Sequence, residues 1–244
     1  MWFGIVSIFP DLIWNASQDG VVARARERGE IELETFNPRE YAVDAYGHID
    51  DRPFGGGPGM VMMAEPLAQC VKQATSSLNT DSLQTIYLTP QGEKFNHDMA
   101  QEFVSYDSLL LVAGRYEGVD QRFVDKYVDR EVSIGDFVLS GGEYAALVIL
   151  DAVGRLLTGT LNNPESIATE SFNDGLLDYP QYTRPREFEG LEVPEVLLSG
   201  DHQAVDQWRL RTSMERTLER RPELLLNRNW TSPQREVFKS IKTN

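Results

Sequence analysis

The sequence predicts an α/β domain with a largely parallel sheet, followed by a small all-α C-terminal domain. Short β-rich runs alternate with helix-like stretches through residues 1–158, as expected of strands joined by helical crossovers. Glycine-bearing segments follow several of these runs, where α/β sheets bind ligands. The charge balance also changes along the chain: 14 Lys and Arg stand against 32 Asp and Glu in residues 1–200, but 9 against 6 in residues 201–244.

The elements follow in order. Phe3–Phe9 is apolar, short and without a cationic flank, and runs into Pro10-Asp11, so it reads as a first strand and not as a signal peptide. Asp11–Arg28 is helix-like and Ile31–Phe36 is a second strand. Glu65–Leu78 is a helix that sets Cys70 beside Leu67, Val71 and Ala74, which makes the cysteine a buried structural thiol. Strands at Gln84–Leu88 and Leu109–Ala113 flank a helix at His97–Val104, and a further helix covers Val119–Tyr127. Gly142–Leu157 is a strong helix whose Tyr144–Leu150 stretch is apolar nearly all round, a pattern that calls for burial on several sides and suits a second subunit. From Gly159 to Glu170 the chain turns polar, and Asn162-Asn163-Pro164, Asp174-Gly175 and Pro180 mark a linker or a long functional loop. Helices at Ala204–Arg220 and Pro233–Lys242 complete the chain. The expected division is 1–158, a linker at 159–175, and 176–244.

Composition removes several function classes. A chain of 244 residues with 41% hydrophobic content can bury a real core, and no run approaches the roughly 18 apolar residues of a membrane span. One cysteine excludes an intramolecular disulfide and a thiolate metal cluster, and the three histidines are too scattered for a zinc site. A net charge of −15 argues against a surface that coats nucleic acid throughout, but leaves room for a local footprint. Arg209, Arg211, Arg216, Arg220 and Arg221 crowd near Trp208, which reads as a solvated helix face or as such a footprint.

Four segments carry the chemistry. Ser133–Glu143 reads S-I-G-D-F-V-L-S-G-G-E, with glycines that admit close backbone approach and apolar walls from Ile134, Phe137, Val138 and Leu139. It suits a flat heteroaromatic ligand, and neither G-x-x-x-x-G-K-[ST] nor G-x-G-x-x-G occurs. On this segment alone, a glycine turn capping a helix accounts for it too. Arg52–Met60, R-P-F-G-G-G-P-G-M, reads as a loop that closes over a ligand or as a disordered hinge. Tyr87–Gly92 and Gly114–Asp120 each end a strand, so three strand-end loops could converge on one site.

These segments, together with D-G-L-L-D-Y-P-Q-Y-T-R-P at 174–185, resemble the bacterial tRNA (guanine-N1)-methyltransferases that act on tRNA position 37. The resemblance extends from the first strand to R-R-P-E-L-L at 220–225. It implies a trefoil-knotted methyltransferase domain of the SPOUT class and a helical C-terminal domain. It also implies a cytoplasmic homodimer with its site between subunits, no membrane association, and tRNA, through its anticodon stem-loop, as substrate. S-adenosyl-L-methionine is implied as cofactor, held by Tyr87, Leu88, Thr89, Pro90, Gln91, Gly114, Tyr116, Glu117, Gly118, Ile134, Gly135, Asp136, Phe137, Val138, Leu139, Gly141 and Gly142. Magnesium is implied during methyl transfer, with Glu117 and Glu170 as possible contributors.

For the target base, the resemblance implies Asp51, Pro58, Gly59 and Asp178, and for the tRNA backbone a surface including Trp208, Arg209 and Arg211. Arg155 is implied as the cation for guanine O6. The base position departs from the family pattern: an aspartate is expected before Ser-Phe, and this chain has Glu170. The spacing from Arg155 fits without a gap, so Glu170 is the expected base, with Asp174 and Asp178 as rivals. An alternative is a knotted tRNA-binding protein whose catalysis is impaired by that substitution. A nucleotide-dependent oxidoreductase is the weakest reading, because no dinucleotide fingerprint follows a predicted strand. Gln181 stands where histidine is common in the family.

Overall fold

Alternation with a period of two decides the architecture of the first unit. Phe3 and Ile5, Leu109 and Leu111, and Ile86 and Leu88 belong to one buried cluster; Trp2 and Val6, Leu110 and Val112, and Tyr87 belong to another. Successive side chains on a strand point to opposite faces, so each strand feeds two cores. The computed structural model describes residues 1–76, 78, 82–160, 170–226 and 230–242, and it divides into two compact units, 1–162 and 163–244.

The first unit holds a five-stranded parallel sheet: β1 (Trp2–Val6), β2 (Glu32–Phe36), β5 (Leu83–Lys94), β6 (Ser108–Ala113) and β7 (Arg130–Ser133), in the order β2-β1-β6-β5-β7. Helices α1 (Pro10–Ala16), α2 (Gly20–Glu27), α4 (His97–Val104) and α6 (Glu143–Gly154) bury residues in the first cluster. Helices α3 (Ala64–Ser76) and α5 (Gln121–Tyr127) bury theirs in the second. This is a three-layer α/β arrangement, as the alternation predicts. Cys70 is fully buried on α3, and burial pushes its thiol up to about 12, in keeping with a structural role. Among the described residues no helix is long and apolar enough to cross a membrane.

Several elements differ from the sequence reading. The expected helix over Asp11–Arg28 is two helices, because Asp19 is extended at the N-cap of the second and Gly20, its first residue, takes φ +77°. Strand β5 does not end at Leu88. Leu88 and Glu93 both pair with Val132, so Thr89–Gly92 loop out and the strand resumes. A Cβ on Gly92 would stand 2.3 Å from the Val132 nitrogen, which explains a glycine at that return. The edge strand β7 escapes the sequence reading, since Arg130 and Glu131 disrupt any apolar run in its four residues. A minimal hairpin, β3 (Asp50–Asp51) with β4 (Val61–Met62), brackets the Arg52–Met60 loop.

The second unit is built on α7 (His202–Arg220) and α8 (Ser232–Lys242), with a two-residue-per-strand hairpin, β8 (Glu187–Phe188) and β9 (Leu191–Glu192). Asp201 caps α7 by accepting from the Ala204 amide at 3.1 Å. Its core consists of Leu176, Met214 and Leu225, flanked by Leu210, Leu218, Trp230, Val237, Phe238 and Ile241. Of the expected linker, residues 161–169 lie outside the described residues; Leu176, the residue just past it, is in the core of this unit. The segment beyond Glu170 is tied down locally: the Leu177 amide donates to Thr217 Oγ1 at 2.9 Å and the Asp178 amide to Ser171 Oγ at 2.9 Å.

Candidate active site

In the first unit, the Thr89–Gly92 excursion and the loops following β6 and β7 converge on a cavity of about 350 Å³. All three lie at one end of the sheet, where β6 and β7 stop and β5 leaves its pairing with β6 after Leu88, so backbone groups are left without ladder partners. Tyr87–Gln91, Gly114, Tyr116–Gly118, Ile134, Gly135, Phe137–Leu139, Gly141 and Gly142 line it, so nearly every residue expected to hold a cofactor is brought together. Asp136 is the exception. Its carboxylate ion-pairs with Lys94 at 2.8 Å, both side chains lie well exposed, and it does not line the cavity.

Two glycines are dictated by close approach. A Cβ on Gly142 would stand 2.8 Å from Ala113 Cα, and the Gly142 amide donates to the Gly114 carbonyl at 2.9 Å. A Cβ on Gly114 would stand 2.8 Å from the Tyr87 ring. The two loops therefore meet backbone to backbone. Burial raises the Tyr87 phenol above its ordinary value, which keeps it a neutral wall. Tyr116 takes φ +59°, a left-handed conformation that few non-glycine residues adopt. Burial raises its phenol too, followed by the charge of Asp50, to which it is hydrogen-bonded.

The Arg52–Met60 loop belongs to the same neighbourhood. The Glu117 amide donates to the Met60 carbonyl at 2.9 Å, the Met62 amide to the Gly118 carbonyl at 2.9 Å, and the Asp120 amide to the Met62 carbonyl at 3.0 Å. Gly59 takes φ +78°, and a Cβ there would collide with the Glu117 side chain at 2.4 Å. Pro58 and Gly59 thus stand beside a wall of the cavity, and Asp51 Oδ1 accepts from the Arg52 amide at 2.7 Å at the root of that loop.

With this geometry established, the comparisons with known proteins bear on it directly. The family model described as tRNA (Guanine-1)-methyltransferase TrmD matches residues 1–227. This chain belongs to that family. It is 48% identical over 238 residues to a protein of Shewanella woodyi (strain ATCC 51908 / MS32) named tRNA (guanine-N(1)-)-methyltransferase, covering 98% of this chain and 96% of that one. A protein of the same name from Pseudoalteromonas translucida (strain TAC 125) is 48% identical over 234 residues, covering 96% and 91%. Another, from Aeromonas salmonicida (strain A449), is 46% identical over 250 residues, covering 99% and 100%. Membership in the tRNA (guanine-1)-methyltransferase family therefore extends across both units.

The remaining expected residues of this family member fall elsewhere. Arg155 caps α6 and lines an open apolar groove with Ala16, Val21, Tyr144, Leu147 and Val148, apart from the cofactor cavity. Glu170 belongs to the second unit, where it lines a cavity of about 220 Å³ with Asp174, Asp178, Tyr179, Asp206 and Arg209. Asp174 accepts from the Leu176 amide at 3.1 Å and from Gln234 Nε2 at 3.4 Å. Asp178 accepts from the Tyr179 amide at 2.7 Å and from Gln181 Nε2 at 3.3 Å. Both oxygens of each rival carboxylate are engaged in holding the local fold.

Trp208, Arg209 and Arg211 share α7. The Trp208 ring lies 6.5 Å from Tyr179 and 6.3 Å from Tyr182, and the Arg209 guanidinium lies 5.0 Å above the Tyr179 ring. Arg209 Nε is buried with no hydrogen-bond partner among the described residues, whereas Arg211 is paired with Glu215 at 2.8 Å. No group of three His, Cys, Asp or Glu side chains among the described residues could by itself hold a metal ion. Sequence reasoning assigned no role to Arg115, Glu143 or Ser7, which meet beside the cavity. The available signal was a carboxylate closing an otherwise apolar, glycine-rich motif, and a lone arginine in a strand-end loop.

Proposed function

We propose that this protein transfers the methyl group of S-adenosylmethionine to N1 of guanosine 37 in tRNA, as a cytoplasmic homodimer whose site lies between subunits. The observation that carries the reading is the glycine-walled cavity at three strand ends, in a chain of the tRNA (guanine-1)-methyltransferase family. The residues present fit the methyl donor. Gly114, Gly135 and Gly142 leave bare backbone where a Cβ would meet a neighbour at 2.8, 2.5 and 2.8 Å, and Leu88, Ile134 and Leu139 offer apolar walls to a purine. When bound, S-adenosylmethionine supplies an electrophilic methyl group on a sulfonium.

Guanine N1 carries a proton, so the protein must accept it as the new N–C bond forms. Glu170 takes that proton on its carboxylate, and Arg155 meets the negative charge that develops on O6. Asp174 and Asp178, the rival carboxylates, accept from backbone amides and from Gln234 or Gln181. Pro58 and Gly59, with Asp51, receive the extruded guanine beside Glu117. Tyr179, Tyr182, Trp208 and Arg209 provide stacking and cationic contact for the anticodon stem-loop.

The homodimer is supported by the apolar face of α6, where Tyr144 and Val148 are about half exposed beside Leu147 and Val21. A second copy packed on that face buries it. The trefoil knot belongs to the same reading. Magnesium takes one or two carboxylates and completes its shell with water and substrate oxygen, and Glu117 and Glu170 are the carboxylates that would hold it.

A second reading, a tRNA binder with impaired catalysis, is favoured by one observation: Glu170 is one methylene longer than the family aspartate. Transfer of labelled methyl to two transcripts differing only at position 37, guanosine against adenosine, separates the readings. Label on the guanosine transcript alone supports the enzyme. Label on neither, with S-adenosylmethionine bound, supports the binder.

A further inference from the structure

We infer that the Arg115–Glu143 ion pair, held by Ser7, is a positioning device that sets the spacing between two walls of the methyl-donor cavity. The inference rests on the reading of that cavity given above. Glu143 opens α6 and its side chain is fully buried. A carboxylate out of contact with water is costly unless its oxygens are filled. Here they are. Oε1 accepts from Ser7 Oγ at 2.9 Å and from Arg115 Nε at 3.2 Å, while Oε2 accepts from Arg115 Nε at 2.9 Å and faces Arg115 Nη2 at 2.9 Å.

The geometry uses what arginine has and lysine lacks. A planar fork engages the carboxylate with Nε and Nη2, leaving Nη1 to donate to the Ser140 carbonyl at 3.1 Å. The guanidinium also lies 4.6 Å above the Phe9 ring. One side chain from the loop after β6 is therefore fastened to the start of α6, to the loop that walls the cavity at Ser140 and Gly141, and to the end of β1. Its room is made by a glycine, since a Cβ on Gly141 would stand 2.1 Å from Arg115 Nε.

The backbone of Arg115 is fixed from the other side, its amide donating to Met62 Sδ at 3.2 Å. Arg115 itself lines the cavity, as do the next two residues, Tyr116 and Glu117. A shift of the Arg115 side chain thus moves both the Tyr116–Glu117 wall and the Ser140–Gly142 wall. Apolar packing alone tolerates such a shift; a forked ion pair does not.

The test is S-adenosylmethionine binding by calorimetry to the full-length wild type, Arg115→Lys, Glu143→Gln and Ser7→Ala, with thermal unfolding and steady-state kinetics of each. Ser7→Ala keeps both charges, and so probes the spacing without leaving a buried charge unpaired. Arg115→Lys is expected to weaken the donor by about tenfold or more, and Ser7→Ala by a smaller factor. The effect is expected in KM for the donor, with kcat at saturating donor changed by less than about threefold. Wild-type donor affinity in folded Arg115→Lys and Ser7→Ala, with losses confined to the unfolding temperature, overturns this inference alone. A wild type that binds no S-adenosylmethionine overturns the reading of the cavity and this inference together.

Discussion

The sheet unit and the helical unit make their functional surfaces in opposite ways. In the sheet unit the cavity is shaped by absent side chains: Gly114, Gly135, Gly141 and Gly142 each stand where a Cβ would meet a neighbour at 2.8 Å or less. In the helical unit the surface consists of long charged and aromatic side chains, Glu170, Tyr179, Trp208 and Arg209, around a small core. Backbone cradles are rigid and intolerant of substitution, while side-chain surfaces are adjustable. On the proposed function, the difference lets a glutamate serve at the proposed base position while the cavity walls keep their glycines.

That contrast can be broken most sharply at Gly142. Valine there meets the Ala113 backbone, which cannot yield, so Gly142→Val is expected to lower S-adenosylmethionine affinity by on the order of 100-fold or more in calorimetric titration. Retained affinity would mean that the cradle is softer than its contacts imply. Arg155→Ala removes the cation for O6 without touching the cavity lining, and kcat is expected to fall by about 100-fold with donor affinity unchanged. A loss of donor binding instead would erase the separation between the two sites.

Smaller effects belong to the helical unit. Arg209→Gln is expected to raise KM for tRNA several-fold and to reduce the salt slope of tRNA binding by about one, leaving donor affinity alone. An unchanged slope would make Arg209 a packing residue on Tyr179. The mildest change is Glu170→Asp, which restores the family side chain; its rate is expected within about tenfold of wild type in single-turnover transfer, because an adjustable surface absorbs one methylene. A collapse of the rate would show a position as rigid as the glycines.

Much of the sheet unit was legible because its signals are local. Continuous apolar runs mark β1 and β6, and a glycine after a strand marks a cavity wall wherever the chain bends toward its neighbour. Strand β7 was not legible: four residues beginning Arg130-Glu131 carry no apolar run, and only pairing with β5 makes them a strand. Nor was the return of β5 after Thr89–Gly92, since Gly92 reads as a turn until Val132 is opposite it. Arg115 and Glu143 each sat in a recognised motif, but 28 residues of chain hide a contact that exists only when the two loops fold together. In the helical unit, Trp208 and the arginines were visible as composition. The contact of Asp174 with Gln234, 60 residues away, exists only in the folded unit.

Glu170→Gln tests the division of labour most directly, because glutamine keeps the shape and removes the basicity. Methyl transfer to a guanosine-37 transcript and S-adenosylmethionine affinity should be measured on the same preparation. The account predicts turnover reduced by at least about 100-fold with donor affinity within about twofold of wild type. Turnover at the wild-type rate would contradict it, moving proton acceptance to another group.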